Sequence, residues 1–157
     1  MMNGAPHTPM HSLRAEHKLI TALHDVLRQE QELLVAADIE SLDKLTPRKA
    51  ELINEMALLA NQRHRALGAA GCAPREAGME TWLDAHGTED DRKLWNDVLG
   101  QTREAKELNR LNGMLINRQM SHTQGALQAL RPQAQAGVYG PSGRTATNTV
   151  SRGFVAR

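Results

Sequence analysis

The chain has 157 residues, enough for one domain of ordinary size or a long helical rod, and too few for two separate cores of usual size. Hydrophobic residues make up 40% and aromatics only 3%, so the core must be built mainly from Leu, Ile, Val, Met and Ala, which favours helices over sheets. Nineteen Lys and Arg against 18 Asp and Glu leave a net charge of +1, which gives no general pull toward nucleic acid or anionic lipid. The single cysteine, Cys72, excludes an intramolecular disulfide and a cysteine-rich zinc site and suits a reducing compartment such as the cytoplasm.

Residues 1–10 carry Pro6, His7 and Pro9 but no positive segment followed by an apolar run, so no signal peptide is expected there. No stretch approaches the roughly 20 apolar residues that span a bilayer, and no stable membrane insertion is expected. From Leu13 the apolar residues fall at seven-residue intervals, Leu13, Ile20, Leu27 and Leu34, with a second row at Leu19, Val26 and Leu33 and Leu23 between them. This pattern predicts a helix over 9–37 with one buried face.

Asp38 can cap a short following turn, and Thr46-Pro47 gives a stronger start signal, because proline suits the first helical position. A second helix is expected over 46–69, with Leu45, Leu52, Leu59 and Ala66 as its heptad row, joined by Ile53, Met56 and Leu67. Gly71-Cys72-Ala73-Pro74 then breaks it. In the Gly-, Pro- and Ala-rich connector a short helix is expected over about 78–86, with Trp82 as its one large docking group.

Thr88 offers the next cap, and Glu89, Asp90 and Asp91 place negative charge where the helix dipole favours it. A third long helix is predicted over 89–131, on the order of 60 Å at ~1.5 Å per residue. Leu94, Trp95, Val98 and Leu99 start its stripe. Thr102, Ala105, Asn109, Asn112, Gln119 and Thr123 then interrupt Leu108, Leu111, Leu115, Ile116 and Leu127. Gly100, Gly113 and Gly125 each cost roughly 1 kcal/mol relative to alanine in a helix interior. The second half should therefore be softer, or closely approached by another chain, and Asn112-Gly113 is a candidate turn.

After Pro132 the composition changes to Gly, Ser, Thr, Ala and Gln with Arg144, Arg152 and Arg157 and no acids. Such a segment buries too little apolar surface to offset the entropy of ordering it. The expected fold is all-α: an elongated antiparallel helical bundle or coiled coil of two to three long helices over 1–132, followed by a flexible Gly/Ser/Thr-rich tail over 133–157.

No catalytic, cofactor or metal site is expected. The seven histidines include His7 and His11 at i, i+4, but without an acidic ligand beside them, and no Glu-x-x-His pair occurs. Gly137 to Thr145 resembles a phosphate loop only superficially, with the wrong glycine spacing and Arg144 where lysine is required. The leucine stripes read first as helical core; the back half of the third helix reads equally as a surface for a partner's amphipathic helix.

The Leu-rich first helix, the Asp38 to Leu45 link, Trp95, the run Asn109-Arg110-Leu111-Asn112-Gly113-Met114-Leu115-Ile116 and the tail sequence Tyr139-Gly140-Pro141-Ser142-Gly143 together resemble the FlgN family of flagellar export chaperones, over nearly the whole chain. The resemblance implies a non-enzymatic cytoplasmic protein with no cofactor. It would bind the C-terminal amphipathic segments of hook-filament junction proteins, prevent their premature assembly and deliver them to the cytosolic domain of the flagellar export gate. Carried onto this chain, the cargo surface would comprise Leu108, Leu111, Leu115, Ile116, Leu127 and Leu130, and the gate contact Tyr139 with Gly140 and Gly143. The alternative is a structural coiled-coil subunit of the flagellar or secretion apparatus. The connector over 68–87 matches no motif of the family.

Overall fold

The computed structural model of the protein describes residues 8–131. These form four helices, α1 (Pro9–Ala36), α2 (Ile39–Ala69), α3 (Gly78–His86) and α4 (Glu89–Ala129), and no strand. The chain is an all-α helical bundle. By its internal packing it divides into Met1–Ile116 and Asn117–Arg157, the division falling within α4.

Pro9 stands at the start of α1, where its missing N–H costs nothing, and Thr8 precedes it with extended backbone. The helix stops at Ala37, whose φ of 56° is left-handed. The amide of Ala37 donates to Leu34 O at 3.1 Å and that of Asp38 to Leu33 O at 2.9 Å, the paired closing bonds of a Schellman turn with alanine where glycine is usual.

Asp38 then caps α2, its carboxylate accepting from the Ser41 amide at 3.1 Å and the Ser41 hydroxyl at 2.8 Å. The expected start at residue 46 is therefore corrected: α2 begins at Ile39, and Pro47 lies inside it. The Asp38 cap nucleates the helix seven residues earlier, and the proline removes only the bond that Asp43 O would have accepted. Thr46 turns its hydroxyl back onto Leu42 O at 2.9 Å.

α1 and α2 pack antiparallel, since Glu16 pairs with Arg63 and Glu30 with Lys49. α4 runs in the same direction as α1: His17 meets Asp97 and Thr21 meets Gln101, both pairs 80 residues apart. Two apolar clusters hold this first unit together. One gathers Met10 and Leu13 of α1, Leu67 of α2, Met79, Trp82 and Leu83 of α3, and Trp95 and Val98 of α4. The other joins Ile20, Leu23, Val26 and Leu27 to Leu52 and Ala105. Leu59, expected in the core row, is half-buried, and Ile53 is exposed.

The connector is a built part of the core. At Gly78 a Cβ would lie 2.0 Å from Ala73 O, so only glycine lets the chain fold back tightly enough to start α3 there. α4 opens with a reciprocal capping box: Thr88 Oγ1 accepts from the Asp91 amide and Asp91 Oδ2 from the Thr88 amide, both at 3.1 Å, with aspartate in the usual Glu role. The helix passes through Asn112-Gly113 without a turn.

Candidate functional site

The buried face of α4 is set by Val98, Ala105 and Asn112 at seven-residue spacing, after Trp95. Beyond Asn112 every described residue but Gly113, Leu115 and Gln119 is exposed. On the first unit, Leu108 packs half-buried against the second cluster, Leu115 is half-buried, and Leu111 and Ile116 are each 37% exposed. Leu108, Leu111 and Leu115 form one row at i, i+3 and i+7, whereas Ile116 lies on another face with Asn109 and Gly113. In the second unit Leu127 and Leu130 are 62% and 79% exposed. Met114 and Met120, outside the expected cargo surface, are also exposed. Tyr139, Gly140 and Gly143 lie outside the described residues, as do His7 and the whole segment 133–157.

Polar groups inside the bundle fix α4 against α1. Asn112 is fully buried, and its Nδ2 donates to Leu27 O at 2.9 Å and to Glu30 Oε1 at 2.8 Å. Glu30 also accepts from Lys49 at 3.0 and 3.1 Å, so one layer ties α1, α2 and α4 together. Asn112 Oδ1 has no hydrogen-bond partner among the described residues. Such a layer penalises any slip of register, because a slip would bury its members unpaired.

A second polar layer lies between the apolar clusters. Arg63 donates to Glu16 from Nε at 2.7 Å and from Nη2 at 3.1 Å, reaches Glu76 at 2.7 Å and stacks over the Trp95 ring at 4.9 Å. Burial alone would lower the pKa of Arg63, but the hydrogen bonds and charges of Glu16 and Glu76 outweigh it and hold it above its ordinary value. Burial likewise pushes Glu76 up, yet hydrogen bonds from His64 and the charge of Arg63 bring it below the usual carboxylate range. Trp95 donates to Glu80 at 3.1 Å, and Arg92 pairs with Glu80 and Asp84. These carboxylates are all committed to structural ion pairs. Among the described residues no three His, Cys, Asp or Glu side chains converge to hold a metal ion, and Cys72 packs half-buried beside the first cluster.

Between α2 and α4 an open apolar groove of about 210 Å³ exposes α1 as its floor. Ile20, Leu23 and Leu27 form the floor, Ile53 and Met56 one wall, and Thr102, Ala105, Lys106 and Asn109 the other. Ile53 and Met56, expected in the core, and Thr102 and Asn109, expected as interruptions of a stripe, thus line an open surface. The signal for the groove was that interruption, coinciding with an aliphatic residue just off the heptad row of α2.

Residues 1–147 match the family described as FlgN protein. The flagella synthesis protein FlgN of Salmonella typhimurium is 26% identical over 136 residues, covering 83% of this chain and 87% of its own length. The protein of the same name from Escherichia coli is 24% identical over 131 residues, covering 82% and 83% respectively. No solved structure matches the chain. No helix among the described residues is long and apolar enough to cross a membrane. With the family match spanning nearly the whole sequence and a helical bundle beneath it, the chain belongs to the FlgN family.

Proposed function

We propose that this protein is a cytoplasmic flagellar export chaperone that binds the C-terminal amphipathic segments of hook-filament junction proteins and delivers them to the cytosolic domain of the export gate. The observation that carries the reading is the exposed aliphatic side chains on α4, a helix that its own bundle covers on only one narrow face. A monomer exposing such residues gains by covering them with a partner. Scattered contacts of this kind give the modest affinity that later release requires. Leu108, Leu111, Leu115 and Ile116 of the first unit, and Leu127 and Leu130 of the second, are the proposed cargo contacts. Tyr139, with Gly140 and Gly143 allowing a turn around it, is the proposed gate contact.

The test is calorimetric titration of the full-length protein with a synthetic peptide of a junction protein's C-terminal segment. Leu115→Ser with Ile116→Ser should weaken that binding more than it lowers the melting temperature; equal damage to both would make these residues ordinary core. Tyr139→Ala should leave folding and peptide binding intact and reduce export. Concentration-dependent self-association with no affinity for the peptide would favour the structural coiled-coil subunit instead.

A further inference from the structure

The α2–α4 groove lies apart from the leucine row of α4; of the contacts proposed above, only Ile116 shares its face, with Asn109 and Gly113. Ile53 is 44% exposed beside it, and its volume is below the roughly 300 Å³ at which small-molecule sites begin. Its shape suits side chains of an elongated partner laid along it. Thr102, Lys106, Asn109 and Gly113 share one face of α4, at spacings of four, three and four residues. A Cβ built on Gly113 would meet nothing within 4 Å. Glycine weakens a helix interior relative to alanine, and no contact within the described residues requires it here. A partner backbone passing close to α4 would.

Charge indicates what kind of partner. Arg103, Lys106 and Arg110 follow one another along the edge of this face. Arg110 is taken by Glu107 at 2.6 and 2.9 Å, while Arg103 and Lys106 form no ion pair among the described residues. On α2 the groove is lined by Ile53 and Met56, with no acid. We infer that the groove seats an amphipathic helix of the bound cargo, with aliphatic side chains entering beside Ile53, its backbone approaching α4 at Gly113, and an acidic row facing Lys106 and Arg103. The inference rests on the chaperone reading and adds the seat, the close approach and the charge of the cargo segment.

The test uses the full-length protein and the junction-protein C-terminal peptide in calorimetric titrations, with melting temperatures measured alongside. Gly113→Ala should raise the melting temperature, as expected for an open helical position, yet weaken peptide binding about tenfold. Gly100→Ala, equally open and by helical spacing on the far side of α4, should raise the melting temperature and leave binding unchanged. Lys106→Glu should weaken binding about tenfold at low salt, with the difference shrinking as salt rises. If the wild-type protein binds the peptide and Gly113→Ala and Lys106→Glu bind it equally well, the groove assignment is overturned while the chaperone reading stands. No binding by the wild-type protein removes both. A melting temperature lowered by Gly113→Ala would reveal an internal contact there and overturn the assignment. So would a wild-type dimer in sedimentation that Gly113→Ala dissociates, because a second copy would then occupy the groove.

Discussion

Replacing Arg63 with methionine tests the bundle where a charge is most deeply committed. The Arg63 and Glu16 side chains are each only 3% exposed, and Glu16 has both of its hydrogen bonds from Arg63. Arg63→Met therefore leaves a buried carboxylate without a partner, a change that typically costs about 3–5 kcal/mol, and it removes the stacking on Trp95. Against a total stability of roughly 5–15 kcal/mol this is a large fraction. Glu16→Leu should cost less, because Arg63 keeps Glu76 at 2.7 Å and the Trp95 ring at 4.9 Å. The double variant should recover much of the loss, since a well-packed apolar replacement of a buried pair is often neutral or better. Urea unfolding of all four proteins closes the cycle, and a coupling energy of about 2 kcal/mol is expected. Additive effects, or a loss below ~0.5 kcal/mol in Arg63→Met, would refute the claim that this pair is an obligate buried layer.

Ala37→Gly should stabilise the protein by roughly 1 kcal/mol, because Ala37 holds the left-handed conformation that glycine adopts without penalty; an unchanged unfolding midpoint would count against the turn geometry. Leu27→Ala should cost about 2–5 kcal/mol, and Leu59→Ala distinctly less, since only Leu27 is fully buried. Thermal melts showing the reverse order would contradict the packing. Glu76 titrates below its ordinary range in the folded state, so its contribution is present above about pH 4.3 and is lost as pH falls through its lowered folded value. Glu76→Gln should flatten the acid limb of stability against pH, modestly because Glu76 is more than half exposed; an unaltered acid limb would rule the contribution out.

The long helices were legible because heptad spacing is a local property. Leu13, Ile20, Leu27 and Leu34 mark one face of α1 whatever that face meets, and all four are buried. The capping box of Thr88 with Asp91 was partly legible, since a cap lies next to the helix it starts. The start of α2 was misread because two cap signals lay close together, and single-residue preference ranked the proline above Asp38. In the connector over 68–87 the short helix and the docking of Trp82 were legible, α3 running Gly78–His86. The burial of Met79 and Leu83 was not, because they are covered only where α1, α2 and α4 meet around them, and sequence spacing within nine residues cannot report that.

The proposed cargo residues divide along the same line. The sequence alone marked α4 as a helix with an interrupted apolar stripe and, through the resemblance of its Asn-rich run and tail, pointed to its family; both rest on the order of residues along one chain. Which interruptions are core and which are surface depended on what stands opposite them. Asn112 disappears into the bundle because Leu27 O and Glu30 complete its hydrogen bonds, while Thr102 and Asn109, polar in the same stripe, line an open groove. Only the packing of three helices decided this, because burying a polar side chain is favourable only where a partner from another helix lies within hydrogen-bond reach.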